Sequence, residues 1–269
     1  MMKAESRQRT IRNLVLFAVL ANGLGWLGKL LGGSPAEPGV GFLLWGAAPL
    51  LACVLLRLFA GDGWSDLGIR PRFGVNVPWY VLSVLAYPVM MLSVVVVGVA
   101  LGWATLSGFS VGAFVASIGM ALVPYLLFAI LEEFGWRGYL VPRLGTLGLN
   151  FMLAHVIVGV IWASWHLPFI TEISHHTSES LAVFIPRFYL GCIAGAIMYG
   201  EVRAITGSVW PAVLMHWAGN AVANPLMSGF ANLIPGREPL SSPGIDGLLI
   251  LVASAAIGLA LHRWRTSRT

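Results

Sequence analysis

Apolar runs of about twenty residues, the length that crosses a bilayer, recur from one end of this chain to the other. They can be placed near 12–32, 40–60, 77–102, 118–144, 149–170, 184–204, 209–229 and 246–264. Lipid offers the backbone no hydrogen bonds, so each run has to satisfy its own N–H and C=O groups as a helix. The expected fold is therefore all-α, a polytopic membrane helix bundle of about eight transmembrane helices. Composition agrees: 58% of residues are hydrophobic and 10% charged, against roughly 25% charged in soluble globular chains. No polar stretch is large enough for a separate soluble domain, so residues 1–269 read as a single integral membrane domain.

The net charge of +5 does not point to nucleic acid, because the basic residues gather at span ends instead of forming a patch. With the N-terminus in the cytoplasm, thirteen of the sixteen Lys and Arg fall on that side, and only Lys29, Arg187 and Arg237 fall outside. The expected orientation has both termini cytoplasmic, in what would be a bacterial plasma membrane. The basic stretch of Lys3, Arg7, Arg9 and Arg12 before an apolar run resembles a signal peptide. No clear small-residue cleavage site follows, so it is expected to be a retained first span. Cys53 and Cys192 lie inside apolar runs, where a thiol acts as a small hydrophobe, and their separation suggests neither a disulfide nor a ligand pair. The segment 61–78 (GDGWSDLGIRPRFGVNVP) reads as a cytoplasmic connector.

Against this background a few side chains are costly. The fourth span ends FAILEEFGWRGYLVPRL, with Glu132, Glu133 and Arg137 in a helix otherwise suited to lipid. An ionised group at mid-bilayer costs on the order of 3 kcal/mol, so these need partners or a hydrated cavity. Glu133 and Arg137 are four apart on one face and can pair, while Glu132 points about 100° away and is free to face something else. The short GTLGL link makes the fourth and fifth spans an antiparallel hairpin. Glu132 then lies roughly 18 Å and His166 roughly 25 Å from the turn, close enough for an encounter. The seventh span adds His216 and Asn220, again four apart on one face.

Each group has a plainer reading. Intramembrane His and Asn often serve as interhelical hydrogen-bond glue, which suits His216 with Asn220 as well as chemistry does if they stand alone. It suits His155 better than chemistry does. Glu133 with Arg137 reads as architectural, and His175 and His176 fall in an outer loop as a solvated face. One shared wet site, however, would satisfy the groups on three spans together.

These residues resemble the signature of the CPBP family, the CAAX proteases and bacteriocin-processing enzymes, which includes the type II CAAX prenyl endopeptidases. Its Glu-Glu-x-x-x-Arg motif corresponds to Glu132, Glu133 and Arg137, and its His-x-x-x-Asn motif to His216 and Asn220. Its Phe-x-x-x-His motif is matched at His166 but has Trp162 in place of Phe, an exchange that keeps an aromatic wall. The likeness runs roughly from Leu126 to Ala223, within a catalytic core near 118–229, and the earlier DLGIRP segment is similar to one that often precedes it.

The resemblance implies an intramembrane endopeptidase acting on a membrane-embedded or lipid-anchored peptide or protein. Glu132 would be the general base on a water that His166 helps to hold, and His216 and Asn220 would be oxyanion donors. Glu133, Arg137 and Trp162 would be supporting residues. The His-Glu-x-x-His helix of zincins is absent, which favours metal-independent activation; were a divalent ion such as zinc present, Glu132, His166 and His216 would be its ligands. Two other classes compete: a non-catalytic scaffold or bacteriocin self-immunity protein keeping the family fold, and a solute or proton-coupled transporter. The transporter would show pseudo-repeated halves, which the sequence lacks. Substrate, oligomeric state and any role for prenylation are not written in the sequence.

Overall fold

The computed structural model describes residues 4–34 and 37–268; Lys3 of the basic N-terminal stretch lies outside them. The chain is a helix bundle built from α1 (Ala4–Leu31), α2 (Val40–Phe59), α3 (Val77–Ala100), α4 (Val111–Gly135), α5 (Val141–Thr146) and α6 (Phe151–His166). It continues through α7 (Ile170–Ile173), α8 (Leu181–Thr206), α9 (Trp210–Pro225), α10 (Glu238–Ser241) and α11 (Leu248–Thr266). Two residues of β1 (Ala104–Thr105) pair antiparallel with two of β2 (Asn232–Leu233), which clips the loop after α3 to the loop after α9.

Among the described residues seven helices are long and apolar enough to cross a membrane, with α4 continuing through α5 as one span. The chain is an integral membrane protein. The eighth expected run, 209–229, folds as α9 but with only 16 helical residues. That gives about 24 Å at 1.5 Å per residue, short of the roughly 30 Å hydrocarbon core. A π-helical turn, Leu226–Phe230, follows it and breaks the helix at Gly229, whose φ is 121°. Large apolar side chains such as Val96, Met120 and Val123 are 68%, 75% and 68% exposed, which places them toward lipid.

Local chemistry sets the helix ends. Ser110 caps α4 by accepting the Ala113 N–H, and Asn150 caps α6 by accepting the Met152 N–H at 2.9 Å. Gly207 ends α8 in the left-handed region at φ 63° and returns its N–H to Arg203 O. In the bundle, α4 packs between α2 and α9, α9 lies against α3, and α6 lies against α8. Gly135 lets α4 meet α2: a Cβ there would come within 2.5 Å of the Pro49 Cβ. This close crossing fixes the turn of α4 that carries both glutamates.

The segment 61–78 is more than a connector. Asp66 binds Arg57 at 2.8 Å and Arg143 at 2.9 Å, and Tyr139 donates to Asp62 at 2.5 Å. The Gly68 carbonyl accepts the Val209 N–H at 2.9 Å and the Ile69 carbonyl accepts the Trp210 indole N–H at 2.6 Å. The loop therefore anchors the first turn of α9. Gly68 itself needs to be glycine, with φ +72° and a would-be Cβ 2.5 Å from the Arg203 guanidinium.

Candidate active site

Glu132 and Glu133 are successive residues of α4, so their side chains diverge, yet both reach one imidazole. His216 of α9 presents Nδ1 to Glu133 Oε1 at 2.8 Å, while its Nε2 lies 3.7 Å from Glu132 Oε1. Arg137, one turn below Glu133, donates from Nη1 to the same Glu133 Oε1 at 2.9 Å. Glu133 and Arg137 are both fully buried. The ion pair expected from their spacing is thus present, and Glu133 also orients the His216 ring.

Arg137 is held by aromatic faces as well, with Cζ 4.8 Å from the Trp162 ring and 4.6 Å from the Tyr199 ring. It is an interior residue and so drops out of the thirteen charges counted toward the side expected to be cytoplasmic, leaving twelve. Directly after Gly135 the helix widens into a π-helical turn, Trp136–Leu140. Such turns loosen the regular hydrogen-bond ladder and recur near functional sites. Here the Arg137 carbonyl accepts from Arg203 Nε at 3.2 Å and the Gly138 carbonyl from Arg57 Nη2 at 2.8 Å.

Trp162 of α6 changes the expectation drawn from its aromatic ring. Its indole N–H donates to Glu132 Oε2 at 2.9 Å, a bond that phenylalanine could not make. His166 lies one turn further along α6, and its Nδ1 bonds the Trp162 carbonyl at 2.9 Å. A carbonyl only accepts, so Nδ1 carries the proton and Nε2 is left as the lone-pair nitrogen. The extra turn accounts for the 7 Å difference in depth estimated from the hairpin: the residue level with Glu132 is Trp162, and His166 stands about 6 Å beyond it.

Glu132, Trp162, His166, His216 and Asn220 all line one cavity of ≈ 330 Å³, whose remaining wall is largely aromatic and aliphatic. Glu132 and His216 are buried at its wall, and His166 and Asn220 are half-buried. The backbone carbonyl of Asn220 accepts from the Asn224 side chain at 3.0 Å.

With this geometry in place, the comparison with known families is informative. Residues 114–222 match the family described as Rce1-like, type II CAAX prenyl endopeptidase Rce1-like. Over those residues, less than half of the chain, the sequence is similar to that family. A comparison with curated proteins gave no match. The Rce1-like segment runs from α4 to α9 and contains every residue of the constellation, while α1 to α3, α10 and α11 lie outside it. The family is one of membrane peptidases, and the sequence resemblance noted above pointed to the same family.

Among the described residues no three His, Cys, Asp or Glu groups come together as a ligand set. Within the trio expected to ligate zinc, His166 bonds a carbonyl and His216 bonds Glu133, each through Nδ1, and one Glu132 oxygen bonds Trp162, which leaves Nε2 of both histidines and the other Glu132 oxygen without these bonds.

Four other expectations meet the structure differently. His175 is exposed, but His176 is not solvated: its side chain is 4% exposed, lines the same cavity and contacts Asp246 Oδ2 at 3.1 Å. His155 is fully buried, 4.0 Å from Glu201, and takes no part in the cavity. Cys53 and Cys192 are buried free thiols, Cys192 at the cavity wall. Glu201 itself was overlooked. It is fully buried in α8 and binds His262 at 2.6 Å and Arg265 at 2.7 Å, both on α11. The signal was a lone acid in an apolar span with His and Arg three apart on the last one.

Proposed function

We propose that the chain is an intramembrane endopeptidase in which Glu132 activates a water against a peptide carbonyl. The observation that carries this reading is the setting of Glu132: a carboxylate at the wall of a largely apolar cavity, oriented by an indole N–H and facing an imidazole. Glu132 takes a proton from water as its oxygen attacks, and returns it to the leaving amine when the tetrahedral intermediate collapses. The lone-pair nitrogen of His166 helps hold that water. His216, held by Glu133 through Nδ1 and donating from Nε2 as an imidazolium flanked by the two glutamates, and the Asn220 amide donate hydrogen bonds to the developing oxyanion, where losing one donor typically costs about 2.7 to 4 kcal/mol. Trp162 fixes the carboxylate rotamer, and Arg137 balances the charge of Glu133.

The substrate in this reading is a membrane-embedded or lipid-anchored peptide, matched to a cavity wall of Phe, Trp, Met and Ile side chains. In this reading both termini are cytoplasmic, an orientation that the Lys and Arg distribution supports, in a bacterial plasma membrane. The test is a comparison of membrane peptides from cells carrying the wild type, Glu132→Ala or His166→Ala at equal protein levels. The expected result is a set of fragments that disappears with both variants and returns when purified wild type is added. Fragments and biological activity retained in full by both variants would overturn the reading in favour of a non-catalytic scaffold or immunity protein.

A further inference from the structure

We infer that the catalytic cavity is reached from the non-cytoplasmic face, so that the peptide it receives is a membrane-associated segment exposed on that side. This rests on the catalytic reading and on the orientation given above, and it adds the compartment of the substrate.

The cavity is polarised along the bundle axis. Its lining includes Pro38 from the α1–α2 link, Ile173 and His176 from the α6–α8 link, and Gly244 and Asp246 from the link before α11. All three links lie at the same end of the bundle, because each joins a helix running away from the N-terminal end to one running back. No residue from the α2–α3, α5–α6 or α8–α9 links lines it. That opposite end is closed by a polar layer: the ion pairs of Arg57 with Asp66 and of Arg143 with Asp62 and Asp66, and the hydrogen bond that Arg203 donates to the Asp66 backbone carbonyl. The layer lies directly below the π-helical turn and seals the site from that direction.

The two ends differ in charge in the sense that sets membrane orientation. The sealed end carries Arg7, Arg9 and Arg12, Arg70 and Arg72, and Arg263, Arg265 and Arg268, besides the arginines of the polar layer. At the open end Lys29 is bound by Glu172 and Arg187 by Glu179, and Arg237 is the one further Lys or Arg there. Short loops rich in Lys and Arg stay cytoplasmic, so the open end faces away from the cytoplasm. Its rim is built, since His176 contacts Asp246 at 3.1 Å and Ser178 Oγ donates to Glu238 at 2.9 Å, tying two links together beside the opening.

The test is side-specific labelling of the full-length chain in cells. Ile173→Cys or Pro38→Cys at the rim, and Ser267→Cys at the opposite end, are each placed in a Cys53→Ala, Cys192→Ala background and exposed to a membrane-impermeant maleimide. The inference expects both rim cysteines to react in intact cells and Ser267→Cys to react only after permeabilisation, with blocking at Ile173→Cys stopping fragment production. It is overturned if the rim cysteines react only after permeabilisation, if neither reacts under either condition, or if Ser267→Cys reacts in intact cells. Labelling reads sidedness without reference to turnover, so a failure here is distinct from the failure of Glu132 as a base.

Discussion

Trp162 illustrates how much of this site depends on single atoms. As an aromatic wall it is interchangeable with phenylalanine; as the donor to Glu132 Oε2 it is not. Trp162→Phe keeps the ring and removes one hydrogen bond to a carboxylate, a loss of about 1.5 to 3 kcal/mol. The expected outcome is a roughly 10- to 100-fold lower cleavage rate per folded molecule, with a melting temperature lowered by several degrees, measured on purified protein in liposomes. Asn220→Ala removes an oxyanion donor in this account and should lower the rate constant by about 10²- to 10³-fold while substrate binding changes little. Equal rates for wild type and Asn220→Ala would remove Asn220 from the mechanism. The indole donor was illegible in the sequence because nothing in a Trp-x-x-x-His spacing tells which way an N–H points.

At the scale of elements, the sequence was most readable where burying a charge is expensive. Glu133 and Arg137 could be paired from a four-residue spacing, and the pair is found at 2.9 Å. Spacing could not show that Glu133 also holds His216 from another helix. Glu133→Gln leaves the Arg137 guanidinium buried with a weaker partner, and breaking such a pair costs about 3 to 5 kcal/mol. Its melting temperature in detergent should therefore fall clearly, in contrast to Glu132→Gln. The DLGIRP segment is a second case, since its backbone carbonyls tether the start of α9. Gly68→Ala puts a Cβ in the left-handed region, at about 1 to 2 kcal/mol. It should lower both thermal stability and activity, because α9 carries His216 and Asn220. An unchanged melting temperature would contradict that role.

Across the whole molecule, the apolar runs made the bundle legible, since lipid leaves a backbone no alternative to helix. The exception was α9, whose run looks like a full span but stops at Pro225, because apolar character alone does not register the break at Gly229. Links without periodicity hid their partners, so His176 read as solvent-facing when it pairs with Asp246. The last helix shows the same limit: α11 is pinned to α8 by Glu201, His262 and Arg265, residues 61 to 64 positions apart. Glu201→Gln weakens this clamp away from the cavity, so it should lower thermal stability while leaving cleavage per folded molecule unchanged. The convergence of α4, α6 and α9 on one catalytic cavity is tested most directly by single-turnover cleavage in liposomes with Glu132→Gln, a change that preserves shape and removes the base. The account predicts a melting temperature close to wild type and no detectable cleavage; a folded Glu132→Gln protein that cleaves at the wild-type rate would contradict it.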